Sequence, residues 1–156
     1  GYWNKPEETA LAIDSENWFH TGDVGRFYKG NLQITDRIKN MLVNSYGKNI
    51  YPTPIENTYL KSPKIESVFL IGDKKEYVTA IITPGRETLQ ETFNLNDEFF
   101  NQPDTFIEDE KIIVKRNPFT IEDGDMTPTM KPKRKVIEKK YLDAIEEMYL
   151  AETEAD

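Results

Sequence analysis

Cysteine is absent from all 156 residues, which removes disulfides, thiolate metal sites and cysteine nucleophiles from consideration. The redox compartment stays open, with a reducing cytoplasm the easier fit. Histidine is almost as scarce: with His20 alone, no zinc site and no other metal centre is expected. No apolar stretch approaches the ~20 residues needed to span a bilayer, and the opening Gly1-Tyr2-Trp3-Asn4-Lys5-Pro6 carries no signal-peptide pattern. The missing initiator methionine fits a piece of a longer polypeptide, and trimming would leave the same start. Basic residues are the minority charge, 20 against 28 acidic, for a formal net charge of −8. That balance argues against nucleic acid or an anionic membrane as the main partner.

What is present suits one folded body. Hydrophobic residues make up 37% and aromatics 12%, enough for a core, while 31% charge and nine prolines imply much surface and many loops. Asn4 through Thr9 reads as a helix start, with Asn4 as N-cap and Glu7 and Glu8 facing the positive end of the helix dipole. Arg26-Phe27-Tyr28 and Leu32-Gln33-Ile34 flank Lys29-Gly30-Asn31 as a hairpin. Met41-Leu42-Val43 reads as a short strand, and Pro54 to Leu60 as a helix opened by proline. Ile65 to Ile71 and Tyr77 to Thr83 are neighbouring strands across the charged turn Gly72 to Lys75. A weaker helix follows at Arg86 to Phe93, then connecting loop from Asn94 to Asp104 and a third strand at Lys111 to Val114. Residues 117–132 form a long loop with three prolines, of a length more often functional than accidental. The spacing of Val136, Ile137, Tyr141, Leu142, Ile145, Met148 and Tyr149 predicts one amphipathic helix from Arg134 to about Leu150, with Ala151 to Asp156 a frayed acidic tail. The fold class expected is α+β: a small three-stranded sheet packed by helices, preceded by a short β-hairpin.

Three motifs carry candidate chemistry. In Thr21-Gly22-Asp23, Asp23 either bonds backbone N–H groups of a turn or accepts both vicinal hydroxyls of a ribose. Within Asp36-Arg37-Ile38-Lys39, the Arg37 guanidinium either pairs with Asp36 or Asp23 or reaches ribose and phosphate oxygens. Tyr46-Gly47-Lys48 by default ends the preceding strand with a permissive glycine. Lys131, in Thr127-Pro128-Thr129-Met130-Lys131, sits near Lys133, Arg134 and Lys135. Such a basic cluster is usually a solvated face, yet it stands at the head of a helix, where the dipole disfavours cations. A lysine on such a loop can enter a cleft and offset charge developing at phosphorus.

Taken in order, together with Trp18-Phe19-His20, Tyr46 to Ile50, Pro54-Ile55-Glu56 and Pro118 to Gly124, these motifs resemble the C-terminal end of the adenylate-forming, acyl-activating enzymes. The form is that of a long-chain fatty acid-CoA ligase. The resemblance implies two half-reactions. A carboxylate attacks the α-phosphorus of ATP, with Mg²⁺, to give an acyl-adenylate and pyrophosphate; CoA thiol then displaces AMP. It further implies that Asp23 and Arg37 hold the ATP or AMP ribose, that Lys39 is the pivot between a large and a small domain, that Gly47 lines the pantetheine tunnel with Lys48 beside it, and that Lys131 is the catalytic lysine of adenylation. Residues 1–38 would then end the large domain, and 39–156 would be the mobile lid. Two positions depart from the family pattern: Pro132 follows the lysine where an aliphatic residue is usual, and Tyr46 stands where a small residue is common.

The Ser/Thr/Gly-rich phosphate loop and the acyl pocket of such enzymes lie upstream and have no counterpart here. The chain alone is therefore expected to be inactive and to hold no cofactor tightly. Its implied partners are an upstream large domain of the same polypeptide and a fatty acid, in a cytoplasmic parent; this chain has no transmembrane segment, and peripheral membrane contact by the parent stays open. Aryl-CoA ligases, luciferase-like enzymes and peptide-synthetase adenylation domains share the three motifs and remain alternatives. So does, from another class, a non-catalytic acidic interaction module with an aromatic-rich surface.

Overall fold

A computed structural model describes residues 1–94, 96–107 and 112–150, with 105–107 as backbone alone. The chain divides into two compact units, Gly1–Met41 and Leu42–Asp156. In the first, α1 (Pro6–Ala12) begins with proline, whose missing N–H costs nothing there, and carries Glu7 and Glu8 in its first turn. Asn4 is not its cap: the residue adopts φ +51°, and Lys5 occupies the cap position without a side-chain bond. The Thr9 hydroxyl does the local bracing, accepting from the Tyr2 N–H at 2.8 Å and donating to the Lys5 carbonyl at 2.7 Å. Strands β1 (Asp23–Tyr28) and β2 (Asn31–Arg37) pair antiparallel. Only Lys29 and Gly30 form the turn, both at positive φ (49° and 79°), the twist that matches right-handed strands; Asn31 is already paired with Tyr28. The only buried side chain of this unit is that of Asp36; none of its apolar residues is buried.

The second unit holds the core. A minimal hairpin, β3 (Leu42–Val43) and β4 (Asn49–Ile50), leads into α2 (Pro52–Tyr59). Strands β5 (Ile65–Ile71) and β6 (Thr79–Pro84) pair antiparallel as their composition predicts. After α3 (Arg86–Phe93) comes a correction: the segment from Asn94 to Asp104, expected to be loop, contains α4 (Asp97–Phe100). Asn96 caps it by accepting from the Phe99 N–H, and Phe100 is fully buried, so burial of one aromatic holds a helix too short to persist alone. Then β7 (Thr105–Ile107) and β8 (Ile112–Val114) complete a four-stranded sheet in the order β5-β6-β8-β7. β8 lies parallel to β6 and antiparallel to β7, so the expected three-stranded sheet gains an edge strand. Lys111, the expected first residue of the third strand, lies outside the described residues, as does the tail from Ala151 to Asp156.

Period-two alternation explains the apolar strands: the sheet is covered on both faces. Phe69, Ile71, Ile81 and Ile113 join Phe119, Ile137, Ile145 and Met148 in one core, while Val68, Leu70 and Ala80 form a second cluster with Ile82 and Ile112. The final helix is two pieces, α5 (Arg134–Lys140) and α6 (Leu142–Leu150), rather than one. The break is at Tyr141 (φ −105°, ψ 16°), whose hydroxyl donates to Asp104 at 2.7 Å. Burial, then that bond and the nearby Asp104, Asp125 and Asp123 carboxylates, push the phenol well above its ordinary range.

A lysine hairpin, an aspartate–arginine pair and the family match

Asp23 opens β1 and Arg37 closes β2, and the antiparallel register sets them opposite each other. Arg37 Nε donates to Asp23 Oδ1 at 3.0 Å, so the ion pair weighed against nucleotide contact is present in the hairpin. The bond uses Nε, which leaves the terminal nitrogens of the guanidinium fork as the groups able to reach a ligand. Thr21-Gly22-Asp23 is also a turn: the Asp23 N–H donates to Thr21 Oγ1 at 3.1 Å, Gly22 adopts φ +72°, and the Ile38 N–H donates to the Gly22 carbonyl. Asp36, by contrast, faces inward. Its carboxylate accepts from the Arg37 N–H at 2.7 Å and Asn40 Nδ2 at 3.0 Å, holding the 3₁₀ turn Ile38–Asn40 that carries the exposed Lys39.

Gly47 sits in the β3-β4 turn at φ +75°, with the Asn44 side chain accepting from the Tyr46 and Lys48 N–H groups. A Cβ on Gly47 would meet nothing within 4 Å, so within this chain only the backbone angle demands glycine. Support comes from the Gly72 to Lys75 turn: the Val43 N–H donates to Asp73 Oδ1 at 3.0 Å, the Lys74 N–H to the Val43 carbonyl at 2.7 Å, and the Ser45 N–H to the Lys75 carbonyl at 2.9 Å.

The lysine motif is a second tight hairpin. The Met130 N–H donates to the Thr127 carbonyl at 2.9 Å and the Thr127 N–H to the Lys131 carbonyl at 2.8 Å. Pro128 stands at the first central position of the turn and Met130 at φ +57°, the left-handed position that usually takes glycine. Thr127 Oγ1 accepts from the Lys131 N–H at 3.0 Å and bonds the Thr129 hydroxyl at 3.1 Å. Thr127 therefore braces the Lys131 backbone through both its own main chain and its hydroxyl. The Lys131 side chain is exposed and makes no ion pair with any described residue.

The expected basic cluster is not one group. Arg134 turns inward, donating through Nη2 to Glu56 Oε1 and through Nη1 to the Leu70 carbonyl at 3.0 Å, with its guanidinium 4.6 Å from the Phe69 ring centroid. Glu56 also accepts from the Leu70 N–H at 2.9 Å. Lys131, Lys133 and Lys135 remain exposed. Sequence reasoning missed Glu56, Asp73 and Asp125 as supports: they read as one acidic residue of a helix, of a charged turn and of a loop, and nothing local marks the partners they meet. An open cavity of about 460 Å³ elsewhere in this unit, lined by Glu66, Arg86, Glu87 and Arg116 among others, contains none of the expected site residues.

Solved structures of similar shape are adenylation domains. The adenylation domain of a carboxylate reductase from Mycobacterium chelonae matches 96% of this chain and 26% of its own, at 26% identity and a TM-score of 0.75. The A-PCP didomain of the Segniliparus rugosus carboxylic acid reductase, in complex with AMP, matches 99% of this chain and 24% of its own, at 28% identity and a TM-score of 0.76. Fold and motifs together define the C-terminal region of an adenylate-forming enzyme. Residues 39–153 match the AMP-binding enzyme C-terminal domain, and the chain belongs to that family. Curated relatives include the rat long-chain-fatty-acid–CoA ligase ACSBG1, 31% identical across 96% of this chain, and Dictyostelium discoideum fatty acyl-CoA synthetase A, 30% identical across 96%. The chain spans about a quarter of the length of these relatives, 27% in each case. Among the described residues, no helix is long and apolar enough to cross a membrane.

Proposed function

We propose that this chain is the C-terminal part of an ATP-dependent, AMP-forming ligase that activates a long-chain fatty acid as its acyl-adenylate and passes the acyl group to CoA. The observation that carries the reading is Lys131, an exposed ammonium with no ion pair among the described residues, at the tip of a hairpin whose backbone is braced by Thr127. The names of the curated relatives supply the substrate class. In the first half-reaction a carboxylate oxygen of the acid attacks the α-phosphorus of ATP and pyrophosphate leaves. Lys131 bridges the acid and the α-phosphate and offsets the charge developing at phosphorus. Mg²⁺ enters with the ATP phosphates. In the second, the CoA sulfur attacks the acyl carbonyl and AMP leaves.

Residues 1–38 end the large domain and 39–156 form the lid, with Lys39 the pivot. Asp23 accepts the ribose hydroxyls, and the outer nitrogens of Arg37 contact the nucleotide. The open space above Gly47 takes the pantetheine arm. Support for an upstream domain comes from the first unit's surface: Trp3 is 89% exposed, Phe27 81% and Leu11 80%, and none of its apolar side chains is buried. Forty-one residues without an apolar core need a neighbour to cover them.

A second reading has its own support, since the solved structures quoted above are carboxylate reductase adenylation domains. There the activated acyl group would go to an acceptor other than CoA. The test is fatty-acid-dependent AMP release from the full-length ligase, with and without Lys131→Ala. Loss of one catalytic electrostatic contact costs about 10²- to 10³-fold, so the variant should lose that much in adenylation. Equal activity in the two proteins would remove Lys131 from the mechanism. AMP release that ignores CoA would favour the second reading.

A further inference from the structure

The Lys131 hairpin has a base that the chemistry above leaves unused. The Lys133 N–H donates to the Asp125 carbonyl at 2.8 Å, closing the hairpin below the Met126 to Pro132 bridge. The Asp125 side chain is completely buried, and Lys140 Nζ reaches both of its oxygens, at 3.2 and 3.1 Å. Lys140 is the last residue of α5, one position before the break at Tyr141. We propose that Asp125 and Lys140 form a positioning clamp that aims the Lys131 arm, so that the ammonium reaches the α-phosphate by movement of the whole lid rather than by flexing of the loop. This rests on the reading of Lys131 given above.

Two physical arguments support the clamp. Asp125 is fully buried while the Lys140 side chain is 44% exposed, so the carboxylate bears the desolvation cost and, among the described residues, only the Lys140 ammonium, reaching in from solvent, offsets it. What such a pair does supply is direction, through two bonds of set geometry. The second argument is leverage. Lys131 stands two rungs above the hairpin base, and its side chain extends further, placing the ammonium on the order of 10 Å from Asp125. A tilt of roughly 10° at the base would then move it about 2 Å, where even 1 Å of misplacement can cost about a hundredfold in rate. The other leg of the hairpin is held independently, by Arg134 on Glu56 and the Leu70 carbonyl, so loss of the Asp125 contact releases a tilt and leaves the lid folded.

The experiment compares Lys140→Met, Lys140→Arg, Asp125→Asn and Lys131→Ala in the full-length ligase. Adenylation is followed as pyrophosphate release, and thioester formation from supplied acyl-adenylate and CoA is followed separately. Lys140→Met and Asp125→Asn should slow adenylation about ten- to a hundredfold while thioester formation stays within about twofold. Lys140→Arg, which keeps a cation on Asp125, should recover most of the loss. In the 156-residue chain, Lys140→Met should speed amide exchange of Thr127 and Lys133 without changing that of β5 and β6. Equal loss in both half-reactions with a lowered melting temperature would reduce the pair to a structural role and overturn the clamp. Unchanged adenylation in Lys140→Met beside a dead Lys131→Ala would overturn the clamp alone, whereas an active Lys131→Ala would remove both the clamp and the reading it rests on.

Discussion

Glu138 shows how one side chain can set a pH response. It lies half-buried on α5, and desolvation is the main cause lifting its carboxyl above the ordinary range; Arg134 and Lys135 pull it down and Asp73 pushes it up. A carboxyl raised by folding binds its proton more tightly in the native state. Stability is therefore greatest below the unfolded value and declines as pH rises through the folded one, and the penalty persists at neutral pH. Glu138→Gln should raise the melting temperature at about pH 7 and leave it unchanged below about pH 4. Thermal melts at the two pH values decide the point; a gain of equal size at both would mean that packing, not charge, is responsible. Asp97 behaves oppositely: its bond to Arg86 lowers its pKa, so whatever it contributes disappears as the solution is acidified through that lowered value.

Between elements, the buried Glu56–Arg134 pair joins α2, β5 and the start of α5, and its side chains are 11% and 13% exposed. Removing one partner strands the other, at a cost of about 3–5 kcal/mol. Glu56→Gln and Arg134→Leu should each lower the unfolding free energy obtained from urea titration by an amount of that order, and the double variant Glu56→Gln/Arg134→Leu should recover part of it. Additive losses in a double-mutant cycle would show that the pair is not coupled. The same contact explains why a basic run could precede a helix against the dipole rule: one of its members is not on the surface. The remaining lysines of α5, Lys139 and Lys140, lie in its last turn, where the dipole favours them.

At the scale of the whole chain, the first unit carries the Asp23–Arg37 ion pair but no apolar interior, and the second holds a sheet, two apolar clusters and the Lys131 hairpin. On the proposed function, the phosphate-binding floor that an ATP site needs belongs to an upstream domain. The chain by itself should therefore bind ATP far more weakly than the low micromolar range. Calorimetric titration of the isolated chain with ATP tests this, and a low micromolar dissociation constant would show that these residues make a complete site on their own.

Much of this was legible from local order. The hairpin turn at Lys29-Gly30, the proline-opened helices and the β-rich strands β5 and β6 follow from interactions a few residues long, whereas the hairpin that Thr127 to Lys131 makes inside the expected loop appears only in the structure. The family followed from the order of its motifs. The rest needed the folded chain. Arg134 reads as a surface cation until Glu56, 78 residues away, and the Leu70 carbonyl, 64 away, receive it. Phe100 converts an apparent loop into a helix by entering the core, and Asp125 becomes a support only when Lys140 reaches it from α5. Sequence carries torsional preference and periodicity, which are short-range, whereas the burial of a charge and the partner that satisfies it are decided by which distant segments the core brings together.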